Sequence, residues 1–297
     1  MDIAQPISFD SAYGTGSRRA LCLGGGGIFF VAWQVGYLSA LMEQGVDIRG
    51  ADRIVGTSAG SIVAIVFARD GLHRLRAELS ILSRFPEAAA QVAPSGRMHP
   101  SQSRAWEVFE KTTSSEPESM QRVGHAALAA QTVDPVTMQR NIELVAGGGD
   151  WPTDSVFITC NDTFSGARCV VSHGSGATPT HAMAASTALP GMFPPQQVLD
   201  RKCMDGGVGS TAVHLDLVAG AGAALVLSLR GFGDQPATAR DARDLARLKE
   251  SGTRVFTAVP ESFRDSQMMD PDSIPTARDM GQRQGAADAP AISELWG

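Results

Sequence analysis

The chain has 297 residues, and its 25 Lys and Arg residues against 31 Asp and Glu residues give a formal net charge of −6. This balance argues against a nucleic-acid-binding protein, because such proteins neutralise phosphates with clustered basic side chains and only three residues here are Lys. Hydrophobic residues make up 43% of the chain and charged residues 19%, which is typical of a globular protein with a large core.

The first nineteen residues contain no apolar run long enough for the core of a signal peptide. No stretch of the sequence reaches the ~18 apolar residues of a membrane span either, so we expect a cytoplasmic protein. The four cysteines show no Cys-x-x-Cys or Cys/His spacing, which predicts reduced, buried thiols and no metal site. Cys160 and Cys169 are expected to face each other across a hairpin, without a disulfide in the cytosol.

The first seventy residues alternate between strand and helix patterns. Apolar runs at residues 20–23 and 53–55 predict strands, and helix patterns follow them at residues 31–44 and 59–69. This βαβα order predicts an α/β fold with a mainly parallel sheet and helices on its faces. Later apolar runs predict further strands of the same sheet, at residues 155–160, 168–172, 224–229 and 253–259.

The central part of the chain, residues 84–134, has a different character. It is polar, helix-like and interrupted by four prolines, which predicts a helical insertion or lid on the α/β core. Residues 260–297 predict a loop and a helix that docks through its apolar end. These patterns predict a single domain over residues 1–297, with its core at about 19–259.

The first motif that follows a strand is a run of four glycines, Gly24 to Gly27. Bare N–H groups at the start of a helix predict an anion site. A nucleotide-phosphate loop is excluded because no Lys lies between Gly24 and Lys111, and a dinucleotide-binding loop would need a third spaced glycine. With these phosphate ligands set aside, the predicted anion is the oxyanion that forms transiently during acyl transfer. The alternative is a tight turn that binds no ligand.

The second motif is Gly56-Thr57-Ser58-Ala59-Gly60, between a predicted strand and an apolar helix. In this context a Gly-x-Ser-x-Gly sequence is typical of a nucleophile elbow, where small flanking residues let backbones approach the serine. Ser58 is therefore the candidate nucleophile, and the N–H of Ala59 is expected to point at an oxyanion. The alternative is that Ser58 only caps the helix.

A serine nucleophile needs a base, and the sequence offers a carboxylate for this role. Asp205 precedes Gly206 and Gly207, which predict a tight turn that brings the aspartate close to another backbone. A partly desolvated carboxylate beside a serine hydroxyl can act directly as the general base. Two alternatives remain: the segment is only a turn, or His214 completes a triad in the chain order of the α/β-hydrolases.

The three motifs in this order resemble the patatin-like phospholipase family, as do residues 190–195, which read PGMFPP before the aspartate. The resemblance covers about residues 19–229. It implies a three-layer α/β/α fold, hydrolysis of acyl esters of lipids, and no metal or other cofactor for that chemistry. It also implies specific site residues: the nucleophile Ser58, the base Asp205, and an oxyanion hole formed by the amides of Gly25, Gly26 and Gly27.

One part of the glycine loop departs from the family pattern. The family usually has a basic residue and a further glycine where this chain has Phe29 and Phe30. The backbone donors survive this change, but a cation that could orient a phosphate head group is missing. The two aromatic side chains predict either an apolar mouth that suits acyl chains or packing in the core.

The expected partner is a lipid or another acyl ester, and no nucleic acid is expected. Residues 71–84 combine arginines with leucines, which predicts either a basic amphipathic helix at a membrane surface or a helix that covers the core. A non-catalytic lipid-binding module on the same scaffold is the alternative function from another class. The sequence makes no prediction of the oligomeric state.

Overall fold

An eight-stranded sheet lies at the centre of the computed structural model, which describes residues 2–85, 98–209, 212–232 and 239–297. The strands follow the order β5-β6-β3-β2-β1-β7-β8, and β4 pairs with β3 outside this path. Their bounds are β1 Arg19–Leu23, β2 Arg53–Thr57, β3 Val156–Asp162, β4 Arg168–Val171, β5 Gln196–Val198, β6 Arg201–Asp205, β7 Ala223–Leu227 and β8 Arg254–Ala258.

The pairing directions divide the sheet into two parts. Strands β3, β2, β1, β7 and β8 run parallel, whereas β4, β6 and β5 add antiparallel pairs next to β3. The central strands β1, β2 and β7 are almost wholly buried apolar runs, because helices cover both faces of a parallel sheet. The predicted α/β fold class with a mainly parallel sheet is confirmed.

Helices follow the strands as the sequence predicts, with one shift. The helix predicted at residues 31–44 begins at Gly27, because nearly all of its side chains are buried and this packing outweighs the poor helix propensity of glycine. The bounds are α1 Gly27–Glu43, α2 Ala59–Ala68, α3 Leu72–Leu82, α4 Pro100–Lys111, α5 Pro117–Ala129, α6 Pro135–Ala146, α7 Pro179–Ser186, α8 Ala239–Glu250 and α9 Ile274–Trp296.

Helices α4 and α5 lie in the segment that was expected to be a helical insertion, and residues 86–97 of that segment lie outside the described ranges. Each of α4, α5 and α6 has proline at its first position. Proline is favourable there because an N–H at this position would have no partner within the helix. Pro100 and Pro117 therefore start helices and do not interrupt them, whereas Pro86 and Pro94 lie outside the described ranges.

Helix α3 occupies most of the segment for which a membrane-surface helix was one interpretation. Leu72, Leu75 and Leu79 are buried, and Arg74 and Arg76 pair with carboxylates of the protein. This is the arrangement of a helix that covers the core. Among all described residues, no helix combines the length and the apolarity needed to cross a bilayer.

Helix α9 packs against α1 so closely that the two backbones touch. A Cβ at Gly36 would lie 2.1 Å from the carbonyl oxygen of Arg278, and a Cβ at Gly281 would lie 2.1 Å from that of Trp33. The Trp33 indole also donates a hydrogen bond of 2.8 Å to Gln284. Glycine on both helices is therefore what allows this contact.

Candidate active site

One edge of β3 brings the two candidate catalytic residues together. It pairs in parallel with β2 over residues 156–159 and then antiparallel with β6 over residues 160–162, while β4 occupies the opposite edge. Strands β2 and β6 therefore meet end to end along β3. Thr57, the last residue of β2, lies opposite Thr159, and Asp205, the last residue of β6, lies opposite Cys160.

Ser58 lies in a sharp turn between β2 and α2. Its φ of 50° and ψ of −119° are rare for a residue with a side chain, which is typical of the strained turn of a nucleophile elbow. A Cβ at Gly56 would lie 2.7 Å from the carbonyl oxygen of Gly60. A Cβ at Gly60 would lie 2.1 Å from the carbonyl oxygen of Leu23. The turn can therefore contact the end of β1 only because Gly60 has no side chain.

The Ser58 hydroxyl donates a hydrogen bond of 2.8 Å from Oγ to Oδ2 of Asp205. The other carboxylate oxygen accepts a 2.7 Å hydrogen bond from the backbone N–H of Gly207. Asp205 is only 2% exposed, and burial raises its pKa to about 7 although both hydrogen bonds favour the charged form. The carboxyl group is thus held on the serine with a proton affinity suited to neutral pH.

Three further residues hold this pair in place, and sequence reasoning missed them. Oγ of Ser186 accepts a 2.8 Å hydrogen bond from the backbone N–H of Ser58. The carbonyl oxygen of Ala188 accepts one of 3.0 Å from the N–H of Asp205, and the Asn161 side chain donates one of 2.7 Å to the carbonyl oxygen of Asp205. The nearest sequence signal was the segment at residues 190–195, which directly follows Ser186 and Ala188.

The glycine loop lies beside the serine, but its amides differ from one another. The Gly25 N–H donates a 2.9 Å hydrogen bond to the carbonyl oxygen of Ala212, so this member of the expected oxyanion hole is already engaged. Within the described ranges, the N–H groups of Gly26, Gly27 and Ala59 have no partner. Gly25 instead provides room, because a Cβ there would lie 3.0 Å from Cβ of Ser58.

An apolar cavity of about 760 Å³ opens onto the serine and the aspartate. Its volume lies within the range of small-molecule sites, and an apolar wall with few polar groups suits a hydrocarbon chain. Its polar part contains Ser58, Asp205 and the glycine loop, together with Glu110, Asn141, Arg230, Asp241 and Asp265. The apolar wall comes mainly from α3, α4 and α6, through Leu79, Leu82, Trp106, Phe109, Ile142 and Val145.

Phe29 and Phe30 pack in the core and are fully buried. The Phe29 ring lies 5.0 Å from the ring of Phe263, and the Phe30 ring lies 5.3 Å from that of Trp33. Their helix neighbours Ile28 and Val31 line the cavity, whereas the two phenylalanines do not. The interpretation as an apolar mouth is therefore wrong, because Ile28 and Val31, three residues apart, share the helix face at the cavity, while Phe29 and Phe30 lie on the opposite face.

His214 is buried behind the aspartate loop. Its Nε2 lies 3.0 Å from the carbonyl oxygen of Gly206, and its Nδ1 lies 3.3 Å from the Arg168 guanidinium, which also makes two 2.7 Å hydrogen bonds to Asp216. Burial, reinforced by Arg168, lowers the pKa of His214 to about 3. A neutral ring that donates from Nε2 and accepts at Nδ1 satisfies both contacts, and both are to groups other than Ser58 and the Asp205 carboxylate.

Comparison with known proteins adds an independent finding. A family model described as patatin-like phospholipase matches residues 21–218, which include the glycine loop, Ser58 and Asp205. Among solved structures, VipD from Legionella pneumophila is 13% identical with a TM-score of 0.48, over 97% of this chain and 68% of VipD. The type III effector protein ExoU is 17% identical with a TM-score of 0.41, over 93% of this chain and 53% of ExoU. No curated protein sequence matches the chain. The family match covers about two thirds of the sequence and contains each motif of the site, and the chain belongs to the patatin-like phospholipase family.

Proposed function

We propose that this protein is a serine acyl hydrolase that cleaves lipid esters with a Ser58–Asp205 dyad. The observation that carries the proposal is the 2.8 Å hydrogen bond from the Ser58 hydroxyl to a buried carboxylate, at the end of an apolar cavity. Membership of the family supports lipid acyl hydrolysis as the general activity. The roles of the individual residues are our inference from the geometry.

In the acylation step, Oδ2 of Asp205 takes the hydroxyl proton while Oγ of Ser58 attacks the ester carbonyl carbon. The carbonyl oxygen becomes an oxyanion, which accepts hydrogen bonds from the unpartnered N–H groups of Gly26, Gly27 and Ala59. Gly27 and Ala59 begin α1 and α2, so the positive ends of two helices face the developing charge. The alcohol leaves with the proton from Asp205.

In the second step, Asp205 takes a proton from water and the resulting hydroxide attacks the acyl group on Ser58. The same N–H groups stabilise the second oxyanion. Ser58 leaves with the proton from Asp205, and the fatty acid departs. This cycle needs no group beyond the dyad, the backbone amides and water.

The cavity suggests the substrate class. Its apolar wall suits an acyl chain, and the serine and the glycine loop line the same cavity, so the ester group is placed at that part of it. We propose that the protein reaches a lipid substrate from the cytoplasm by peripheral contact with a membrane. We also propose that residues 1–297 form a single domain. Ile81 and Phe85 at the end of α3, beside the cavity residue Leu82, and Val133, which itself lines the cavity, are exposed apolar side chains suited to such contact.

The proposal is tested by labelling Ser58 with a fluorophosphonate probe. We expect one label per chain, located on Ser58 by peptide mass spectrometry, and no label on the Ser58→Ala variant. A panel of phospholipids and neutral lipids, with Ser58→Ala as the blank, identifies the head group that is cleaved. A protein that binds lipid without reacting with the probe or the panel is a lipid-binding module, and the proposal then fails.

The pH dependence of hydrolysis follows from the pKa of Asp205. The base works only when it is ionised, so kcat/KM for a soluble ester is expected to rise with pH through about 7 and to be about a hundredfold lower at pH 5 than on the plateau. His214 does not titrate in this range, because its pKa lies near 3. A profile that is flat from pH 5 to 8, after subtraction of the Ser58→Ala blank, contradicts this assignment.

His214→Ala separates the dyad from a triad. We expect turnover to fall by at most about tenfold, because the ring contacts the Gly206 carbonyl and Arg168. The free energy of unfolding is expected to fall by about 2–4 kcal/mol, since two buried polar groups lose their partner and a cavity forms. Turnover of a nitrophenyl ester and urea unfolding measure the two effects. A loss of about 10⁴-fold in turnover supports the triad.

A further inference from the structure

Three of the four cysteines converge on neighbouring strands next to the aspartate. Cys160 of β3, Cys169 of β4 and Cys203 of β6 are free and fully buried, and their Sγ atoms all lie within 4.8 Å of one another. Cys160 lies opposite Cys169 of β4 and, on its other edge, opposite Asp205 of β6. Cys203 lies two residues before Asp205 on β6. Because side chains alternate along a strand, the three thiols project from one face of the sheet.

We propose that Cys160, Cys169 and Cys203 form a binding site for a soft metal ion of the Cu⁺ type. Thiolates are the ligands that such ions prefer. Three sulfurs around an ion at metal–sulfur distances of about 2.3 Å lie about 4.0 Å apart in a trigonal arrangement. The present separations of at most 4.8 Å require shifts of less than about 1 Å to reach it.

The number of ligands distinguishes Cu⁺ from Zn²⁺. Structural zinc sites in proteins are almost always tetrahedral, with four protein ligands. Within the part of the chain that the structure describes, this group contains the three cysteines alone. A buried, three-sulfur site suits an ion that accepts trigonal coordination. The sequence spacing gave no indication of it, because the third thiol, Cys203, lies on β6, 34 residues after Cys169.

The charge around the cluster supports a bound cation with thiolate ligands. Metal binding displaces thiol protons to water and leaves a net negative charge in a buried place. Arg201 is two residues before Cys203 on β6, so both side chains lie on the same face of the strand. Its guanidinium contacts Asp162 at 3.0 Å, and its buried Nε has no hydrogen-bond partner among the described residues. Asp162 and Asp2 already share this cation, and its Nε–H remains available to a further acceptor next to the thiolates.

The N-terminal segment offers a route to the sulfurs. Ala4 forms an isolated bridge with Cys169, and two backbone hydrogen bonds of 2.8 and 2.9 Å join Ile3 and Gln5 to β4. Asp2 adds an ion pair of 2.9 Å with Arg201. The Arg168 side chain adds hydrogen bonds to the carbonyl oxygens of Gln5 and Pro6, so entry of an ion by this route requires local opening of the whole segment but not unfolding of the sheet.

The test uses the reduced, full-length protein in competition with a chromogenic Cu⁺ chelator under anaerobic conditions. We expect the protein to withdraw one equivalent of Cu⁺. Cys169→Ser and Cys160→Ser are expected to lower the affinity at least about a hundredfold, because removal of a ligand costs at least as much as removal of its supporting partner. Cys22→Ser is the matched control, since Cys22 is also buried but lies on β1, outside the cluster.

Thermal unfolding of each variant shows whether it folds. If Cys160→Ser or Cys169→Ser does not fold, Cys203→Ala is measured in its place. A second measurement needs no variant: in slow alkylation of the wild-type protein through local opening, Cu⁺ is expected to lower the rates of three thiols and to leave the rate of Cys22 unchanged. The absence of Cu⁺ uptake by the wild-type protein overturns the proposal. Equal uptake by folded cluster variants and by Cys22→Ser overturns it as well. Neither readout depends on ester hydrolysis.

Discussion

Asp205→Asn is expected to lower the turnover of a short-chain nitrophenyl ester at least about a thousandfold, to the level of Ser58→Ala. The amide cannot take the proton from Oγ of Ser58, although it fills the same space. Its oxygen can still accept the hydrogen bond from the Gly207 N–H, and its NH₂ group can donate to Oγ in place of the present 2.8 Å contact. Steady-state kinetics of the two variants check this expectation, and full activity in either one contradicts the dyad.

The same substitution is expected to stabilise the protein at high pH, which separates a lost base from a damaged fold. The pKa of Asp205 is raised from 3.8 to about 7, so the unfolded chain releases this proton at lower pH than the folded one. Ionisation therefore destabilises the wild-type fold as pH rises from about 4 to 7. Asp205→Asn is expected to increase the free energy of unfolding by about 3 kcal/mol at pH 8 and to lose this advantage below pH 4. Urea unfolding at both pH values measures it.

Gly60→Ala is expected to lower turnover at least about a hundredfold although the dyad itself is unchanged. The new Cβ would lie 2.1 Å from the carbonyl oxygen of Leu23 and 2.8 Å from that of Gly24, so α2 has to move away from β1 by more than about 1 Å. This movement separates Ser58 from the glycine loop, and a loss of about 2–4 kcal/mol in the free energy of unfolding is expected from the strain. Ester turnover and urea unfolding report both effects.

The matched control for this substitution is Gly174→Ala. Gly174 has no atom nearer than 4.0 Å to an added Cβ and lies in a short turn, so both turnover and stability are expected to stay within experimental error of the wild type. If Gly60→Ala retains the activity of Gly174→Ala, the close approach of the elbow to the glycine loop is not needed for catalysis.

Local motifs in the sequence were sufficient to predict the parallel part of the fold and to indicate the two residues of the proposed dyad. The Gly-Thr-Ser-Ala-Gly turn lies between β2 and α2 as expected, because a strand, a small-residue turn and an apolar helix are all encoded within fifteen residues. Asp205 was identified from its glycine neighbours. Its hydrogen bond to Ser58 joins positions 147 residues apart and was not predictable from local pattern.

The parts that could not be predicted depend on pairing between distant segments. The switch of β3 from β2 to β6 sets the serine and the aspartate end to end, and no local periodicity indicates it. The engagement of the Gly25 amide by Ala212 has the same origin, as does the burial of Phe29 and Phe30. Each of these outcomes is decided by tertiary packing, which overrides what neighbouring residues suggest.

The contact between α1 and α9 also has a consequence during biosynthesis. It joins residues 251 positions apart, so ribosomes that add about 5–20 residues per second make Trp33 roughly 13–50 s before Gln284. Through that interval the nascent chain carries an apolar helix without its cover, which makes it a target for chaperones. Gly27 begins this helix, and we expect the glycine loop to reach its final position only after α9 has been translated.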